Sequence, residues 1–566
     1  MVKLIIRQIN QNMYQEIKNT YQSSSKSISI MKSDLIDGIN SYEDFIVYKN
    51  SNEIKLFDRK CDHAGGRLIS TNKNKIICPM HKWEFDPSTS SYKNNITKPQ
   101  IKFQETEELI KFNIDEDELI LPEYHTEKHL EIKFLNHACL IFKGDDFKFS
   151  IDPWIINSAF GNGWWLKYKS AENSFDELNS CDFIFISHTH PDHLHEESLL
   201  NIRKDMIFYT TDFSSKSSEI HLKSIGFNNV IPLKHDFGYI DYDKEFYFSP
   251  LKSGDFRDDS GIILKYGKFS TLVNVDTNFI NFFKLPKNLT MVASSFASGA
   301  SGFPLCFENI SDEEKKKIIN LNKNSAKKLN ENLVSKTQAK YFLPYAGFFV
   351  ESATRDSYIN KHNYKNTIND YDYFESKYDL KILNVESYQN YHFKGEKLKK
   401  TGGAKLEKNN ENTPEKTIEL FKQNYINFDK EFINEYFDSS GFNKNFNLIV
   451  DLTNDNFVPS NQIGVIFSEM EKPKLLFNEN LKLDSFENEY NTLHLKIREE
   501  VFWYTLRNLM PWEDILVGFQ MRVTRAPNIH NTDFWYYFSN VYTKYNASKI
   551  AKECTGCDLL KYTLVK

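Results

Sequence analysis

Two groups of metal-binding side chains stand out in this chain of 566 residues. The first lies in "CDHAGGRLISTNKNKIICPMHKWEFD" at 61–86. It spaces Cys61-x-His63 from Cys78-x-x-His81 by fourteen residues. Two thiolates can hold one iron and two neutral imidazoles a second, in a [2Fe–2S] cluster. Exchanging thiolates for histidines removes negative charge and raises the reduction potential. Gly65 and Gly66 let the backbone wrap close to such a cluster. Ile76, Ile77 and Trp83 can shield it while His63 and His81 reach the surface for electron exchange. A structural zinc site uses the same ligand types. The glycine pair after His63 and the "WEFD" after His81, in a short-stranded β segment, favour the redox cluster.

The second group is "HTHPDH", which puts His188, His190, Asp192 and His193 within six positions. It follows "DFIFIS", a continuously apolar run expected to be a strand buried on both faces. A strand end is rigid enough to aim several ligands at one point. His188 and His190 can bind one metal from the same side. Asp192 and His193 can serve a second metal or orient a bound water. Asp152 and Asp276 each close a strand-like run, "SIDPW" and "VNVDT", and Asp276 can act as a bridging or second-site carboxylate.

The elements that must position these groups are legible in outline. Between about 27 and 122, short runs such as "FIVYK", "EIKLFD", "LIKFNI" and "ELILP" are separated by turn residues, which predicts an all-β domain over 1–125. From 131, "EIKFLNHACLIFKGDDFKFSID" reads as two strands joined by a Gly-Asp-Asp turn. Strands and helices then alternate, predicting a layered α/β domain over 130–395. Ser311 and Glu314 form a capping box for a helix over 311–336, with Ile318, Leu321, Leu329 and Leu333 along one face. Residues 396–416 are charged and poor in large apolar groups, and read as a linker or mobile loop. Residues 417–566 carry a further α/β region expected to pack on the catalytic domain.

Composition bounds the function. Hydrophobic residues are 40%, charged residues 26% and the formal net charge is −6. That fits a soluble multidomain protein and gives no basic face for nucleic acid or a membrane surface. No apolar run of about eighteen residues occurs, so no transmembrane helix is expected. The N-terminus has too short an apolar patch for a signal peptide. Seven cysteines in this length do not make a disulfide framework, which points to the cytoplasm. The lone "CTGC" at Cys554 and Cys557 reads as tail.

The first motif resembles the Rieske type of cluster, and "HTHPDH" after a buried strand resembles the metallo-β-lactamase superfamily. Together they predict an α+β multidomain chain. An all-β Rieske domain precedes an αββα metallo-β-lactamase-like domain with a C-terminal α/β extension. Nearly the whole chain resembles the CMP-N-acetylneuraminate monooxygenase family. The more specific stretches are "DPWIINSAFGNGWW", "GASGFP", "YAGFFVES" and "GFQMRVTRAP". The resemblance implies hydroxylation of the N-acetyl methyl group of a CMP-linked sialic acid. It implies O2, and electrons from NAD(P)H relayed by a separate reductase and a ferredoxin or b-type cytochrome. The metallo-β-lactamase pattern usually adds histidines that this chain lacks: Asp255 stands in "LKSGDFRDD", with His235 a further substitute, and "YFLPYAGFFVES" has none. This favours one metal over a two-zinc hydrolase centre. If His188, His190 and Asp255 converge, they form the two-histidine, one-carboxylate set favoured by mononuclear non-haem iron, with zinc the alternative. The competing reading makes Asp255 an exposed loop carboxylate. Candidate substrate contacts are Trp164 and Trp165 by stacking, and Arg522 and Arg525 to phosphate or carboxylate. His137 in "LNHA" is placed beside them, as a group near the metal. Two alternatives are oxygenation of another amine or amide, and a hydrolase with a regulatory Rieske domain.

Overall fold

The computed structural model describes residues 14–544 except 43, 52, 60, 61, 63–67, 73, 74, 78–83, 93–95, 214, 255, 256, 404, 411 and 412. The expected cluster ligands Cys61, His63, Cys78 and His81, together with Asp255, Cys554 and Cys557, lie outside the described residues.

The N-terminal domain is all-β. One three-stranded sheet holds Gly38–Ser41, Phe45–Lys49 and Ile54–Asp58, and a four-stranded sheet runs from Ile69–Asn72 to Ser91–Tyr92. Successive side chains of a strand face opposite ways, and this domain uses both faces. Ile46 and Phe57 join one core with Ile76 and Phe85, while Phe45, Val47 and Leu56 join another with Ile110 and Phe112. The runs "LIKFNI" and "ELILP" are not separate strands. Leu109–Ile120 is one strand, paired along its length with Thr20–Met31. The acidic stretch between the two runs faces serines, and Ser23 Oγ donates to Asp117 Oδ1 at 2.7 Å. The same strand meets the second domain, where Lys284 pairs with Asp117 and Lys287 with Glu118.

Two eight-stranded sheets build the second domain. One contains Phe183–Ile186 between the parallel strands Lys148–Ile151 and Ile207–Thr211. The other contains Phe246–Lys252, Ser260–Tyr266, Phe269–Val273, Met291–Ser295 and Tyr341–Tyr345. Their inner faces share one core, including Phe149, Phe183, Phe248, Leu264 and Phe342. Helices Ser174–Asn179, Glu196–Leu199 and Ser217–Ser224 cover the first sheet through Leu178, Leu199 and Leu222. Asp312–Thr337 and Tyr373–Tyr378 cover the second. The layers are therefore αββα.

Four expectations change in detail. The segment from 131 to 152 forms three strands, His129–Asn136, Cys139–Lys143 and Lys148–Ile151, because His137 and Ala138 make a tight turn of their own with His137 at φ 40°. Residues 397–402, expected as linker, form the edge strand Lys397–Gly402 on Asn390–Lys394. Its lysines suit a strand with one open edge, and Leu398 packs on the core. Gln15–Lys18 leaves the N-terminal domain and pairs with Phe237–Asp241 of the second. Along Asp312–Thr337, Ser311 caps Glu314 N, but the buried positions are Lys315, Ile319, Asn330, Leu333, Val334 and Thr337, and Leu321 is exposed. A 26-residue helix drifts relative to any fixed spacing, so its buried stripe moves along it.

The C-terminal region is a five-stranded sheet, from Lys474–Phe477 through Phe446–Thr453 to Met521–Ala526, with flanking helices. It shares a hydrophobic core with Trp154, Phe160, Trp164 and Phe349 of the second domain. No described helix is long and apolar enough to cross a membrane.

Candidate metal centre

The centre assembles where strands end. Phe183–Ile186 delivers Ser187 and His188, and the following turn carries His190, Asp192 and His193. His195 then caps the helix Glu196–Leu199 by accepting from Ser198 N. Asp152 follows the neighbouring parallel strand with φ 44°. Its Oδ1 accepts from Ser187 N at 2.8 Å and its Oδ2 from Ser187 Oγ at 2.6 Å.

Those bonds fix two imidazoles. Asp152 Oδ2 lies 2.9 Å from His193 Nδ1, so Nδ1–H donates and the neutral ring carries its lone pair on Nε2. Ser187 Oγ, whose hydrogen is engaged in the bond to Asp152, accepts from His188 Nδ1 at 2.8 Å. His188 therefore also presents a bare Nε2. Holding one ring nitrogen so that the other can ligate is the usual arrangement behind metal-bound histidine.

The free ends converge. His193 Nε2 lies 3.4 Å from Asp192 Oδ2 and 3.5 Å from Asp276 Oδ2. His137 Nε2 lies 3.1 Å from Asp192 Oδ2 and its ring meets Trp154 edge-on at 4.9 Å. Two three-residue sets can hold a metal ion, His137 with Asp192 and His193, and His188 with His193 and Asp276, their ligand atoms within 4.8 Å of one another. Among the described residues, His137 Nδ1, Asp192 Oδ1, His193 Nε2 and Asp276 Oδ1 are buried with no hydrogen-bond partner. Orphaned polar atoms are costly in an interior, and His193 Nε2, set between the Asp192 and Asp276 carboxylates, is placed for a cation. Both sets draw on the single lone pair of His193 Nε2, so they are not filled completely together. His190 Nδ1, 2.9 Å from His188 Nε2, supplies a further nitrogen beside them. That is roughly the edge between two nitrogens each about 2.1 Å from one metal.

The electrostatics agree. Burial lowers the pKa of His188, helped by the neighbouring His193 and His190, and keeps it in the neutral form a metal needs. Burial would also lower His193, but Asp192 and Asp276 and the bond to Asp152 outweigh it and raise it well above an ordinary histidine. Burial would raise Asp192 and Asp276; the His193 charge outweighs it and holds both well below the usual carboxylate range. Without a metal, a proton on His193 does the work of the cation.

His137, Asp192 and Asp276 open onto a cavity of about 790 Å³. Trp164 also lines it and stacks on Phe349 at 3.5 Å, with its Nε1 bonded to Val517 O. Trp165 is buried elsewhere, against Ala353 and Ile418. Arg522 lies over the Phe457 ring and Arg525 over Phe307, and neither lines this cavity. Exposed His235 sits before the strand Phe237–Asp241. His137, read from "LNHA" as a group near the metal and grouped with the substrate contacts, stands in one of the two possible ligand sets. Sequence reasoning missed Tyr345, buried with an unpartnered hydroxyl near Asp152 and Asp276. It missed Asp514 as well, which burial raises to about 7 within the influence of His190.

Residues 26–105 match the Rieske [2Fe-2S] domain model and residues 131–247 a β-lactamase superfamily domain. The cytidine monophosphate-N-acetylneuraminic acid hydroxylase of Pan troglodytes is 28% identical over 89% of this chain and 91% of its own length. That of Mus musculus is 28% identical over 89% of this chain and 93% of its own. The chain is similar to these hydroxylases over most of its length. Like the sequence motifs, the similarity runs through both domains in the same order. Among solved structures, a diiron β-hydroxylase from Streptomyces venezuelae aligns with 48% of this chain and 55% of its own at 17% identity and a TM-score of 0.31.

Proposed function

We propose that this protein is a Rieske-dependent monooxygenase that hydroxylates the N-acetyl methyl group of a CMP-linked sialic acid. One oxygen atom of O2 enters the C–H bond and the other leaves as water, taking two electrons and two protons. The electrons come from NAD(P)H through a reductase and a small carrier, and enter at the cluster of Cys61, His63, Cys78 and His81. The observation that carries this reading is the composition of one cavity. Its lining joins the metal donors to Ser41, Tyr42 and Arg59 of the Rieske domain, and Arg59 stands two residues before Cys61.

The metal centre is expected to hold non-haem iron. Iron supplies the redox chemistry that O2 and a strong C–H bond demand, which zinc lacks. Within this chain, Asp152 and Ser187 hold His193 and His188 with their Nε2 atoms presented. His137, Asp192 and Asp276 complete the donor sets and face the substrate cavity. Trp164 on Phe349 makes an apolar wall beside them. Asp255 remains a proposed ligand with His188 and His190.

The test is aerobic incubation of iron-loaded protein with NAD(P)H, a reductase, a ferredoxin or b-type cytochrome, and CMP-N-acetylneuraminate. A product heavier by one oxygen, labelled from isotopic O2, is expected. Cleavage of the substrate without reductant would replace this reading with a hydrolase.

A further inference from the structure

The cavity beside the metal donors contains a second chemistry. Among the described residues its acidic lining consists of Asp192 and Asp276, both in the metal sets, so a cation there offsets their charge. The remaining charged lining residues among those described are basic: Arg59, Arg257 and Lys328. The side chain of Lys328 is 61% exposed, so solvent screens its charge. The two arginines are more firmly placed. Arg59 donates from Nε to Leu68 O at 2.8 Å and from Nη1 to Tyr42 O at 2.7 Å. Arg257 reaches Asp259 at 2.9 Å, and its Nη2 donates to Asp276 O at 3.2 Å. Anchoring a planar guanidinium in advance reduces the ordering cost when it takes an anion.

We propose that Arg59 and Arg257 are the anion-recognition residues of this cavity, and that they take the phosphate of a nucleotide-linked substrate. One residue comes from each domain, so the Rieske domain contributes directly to substrate choice. The inference rests on the proposed function for the identity of the nucleotide, and on the cavity lining for the charge. Arg522 and Arg525, expected from the sequence to do this work, pack outside the cavity.

The experiment compares binding of cytidine monophosphate and cytidine to the metal-loaded protein at low and high salt. Wild-type protein is expected to bind the monophosphate roughly tenfold or more tightly, the scale of a charged hydrogen-bonded contact. The preference should shrink with salt. Arg59→Gln and Arg257→Gln should each lose most of it, and Arg59→Lys should keep part. The Rieske spectroscopic signature of Arg59→Gln reports whether its cluster has assembled; where it has not, Arg59→Lys and Arg257→Gln decide. The inference is overturned if the variants keep the full preference, or if wild-type protein has none. Failure of the proposed function looks different. Protein that prefers the monophosphate through these arginines, yet does not hydroxylate CMP-N-acetylneuraminate, keeps the inference and loses the function. Protein that hydroxylates with an unchanged KM in Arg59→Gln keeps the function and loses the inference.

Discussion

Two regions of this protein bury charge, and they do it in opposite ways. Around fully buried Arg498 the guanidinium is satisfied by its own chain: Nη1 meets Asp356 Oδ1 and Gln520 Oε1, Nη2 the carbonyls of Arg355 and Asp455, and Nε the carbonyl of Asp455. Around His193 the Nδ1 atoms of His193 and His188 are tied down by Asp152 and Ser187, while His193 Nε2, Asp192 Oδ1 and Asp276 Oδ1 are buried with no hydrogen-bond partner among the described residues. Burial alone therefore does not mark a functional site. Oriented side chains left incomplete at one point do. Arg498 joins the C-terminal sheet to the second domain; His193 is positioned for something the chain does not itself supply.

The contrast can be broken by exchanging the two behaviours. His193→Ala should abolish metal retention and turnover together, while far-ultraviolet circular dichroism stays native; metal analysis beside activity reads this, and a variant that keeps its iron would remove His193 from the centre. Arg498→Met should do the reverse. Leaving Asp356 buried without its partner costs on the order of 3–5 kcal/mol, seen as an earlier denaturation midpoint, with iron per folded molecule unchanged. Asp152→Asn should fall between them, lowering metal affinity about 10–100-fold at near-native stability. Equal losses of stability in Asp152→Asn and Arg498→Met would erase the distinction.

A pH titration sharpens it further. His193 has a raised folded pKa, so its protonated form stabilises the metal-free protein at low pH, and that contribution is lost as pH rises through the folded value. Metal must displace that proton, so iron affinity should keep climbing above the ordinary histidine range near about 6.5. A flat profile there would contradict the protonated His193. The smallest effect belongs to Leu321→Lys: this residue is 56% exposed, and a stability change within roughly 0.5 kcal/mol is expected.

The two motifs were legible because metal chemistry needs particular side chains at short spacing, and short spacing survives in a linear string. The apolar run before His188 announced its buried strand for a similar reason: a strand covered on both faces has no room for polar residues. The serine-faced acidic stretch of Leu109–Ile120 and the lysine-rich edge strand Lys397–Gly402 hid their strands, because pairing partners lie far away in sequence. His137 was legible as a group near the metal, but its pairing with Asp192 was not, because the two lie far apart in sequence.

By itself the sequence determined the domain order, the donor types and the layered fold, all of which follow from local pattern and periodicity. Only the tertiary structure decided which donors meet. Asp152 became the residue that orients His193. His137 joined Asp192 across 55 positions, and Arg59 came to share a cavity with Arg257. Trp165, Arg522 and Arg525 were turned away. Convergence of this kind depends on strand ends brought side by side by sheet pairing, and nothing in the spacing of residues along the chain records it.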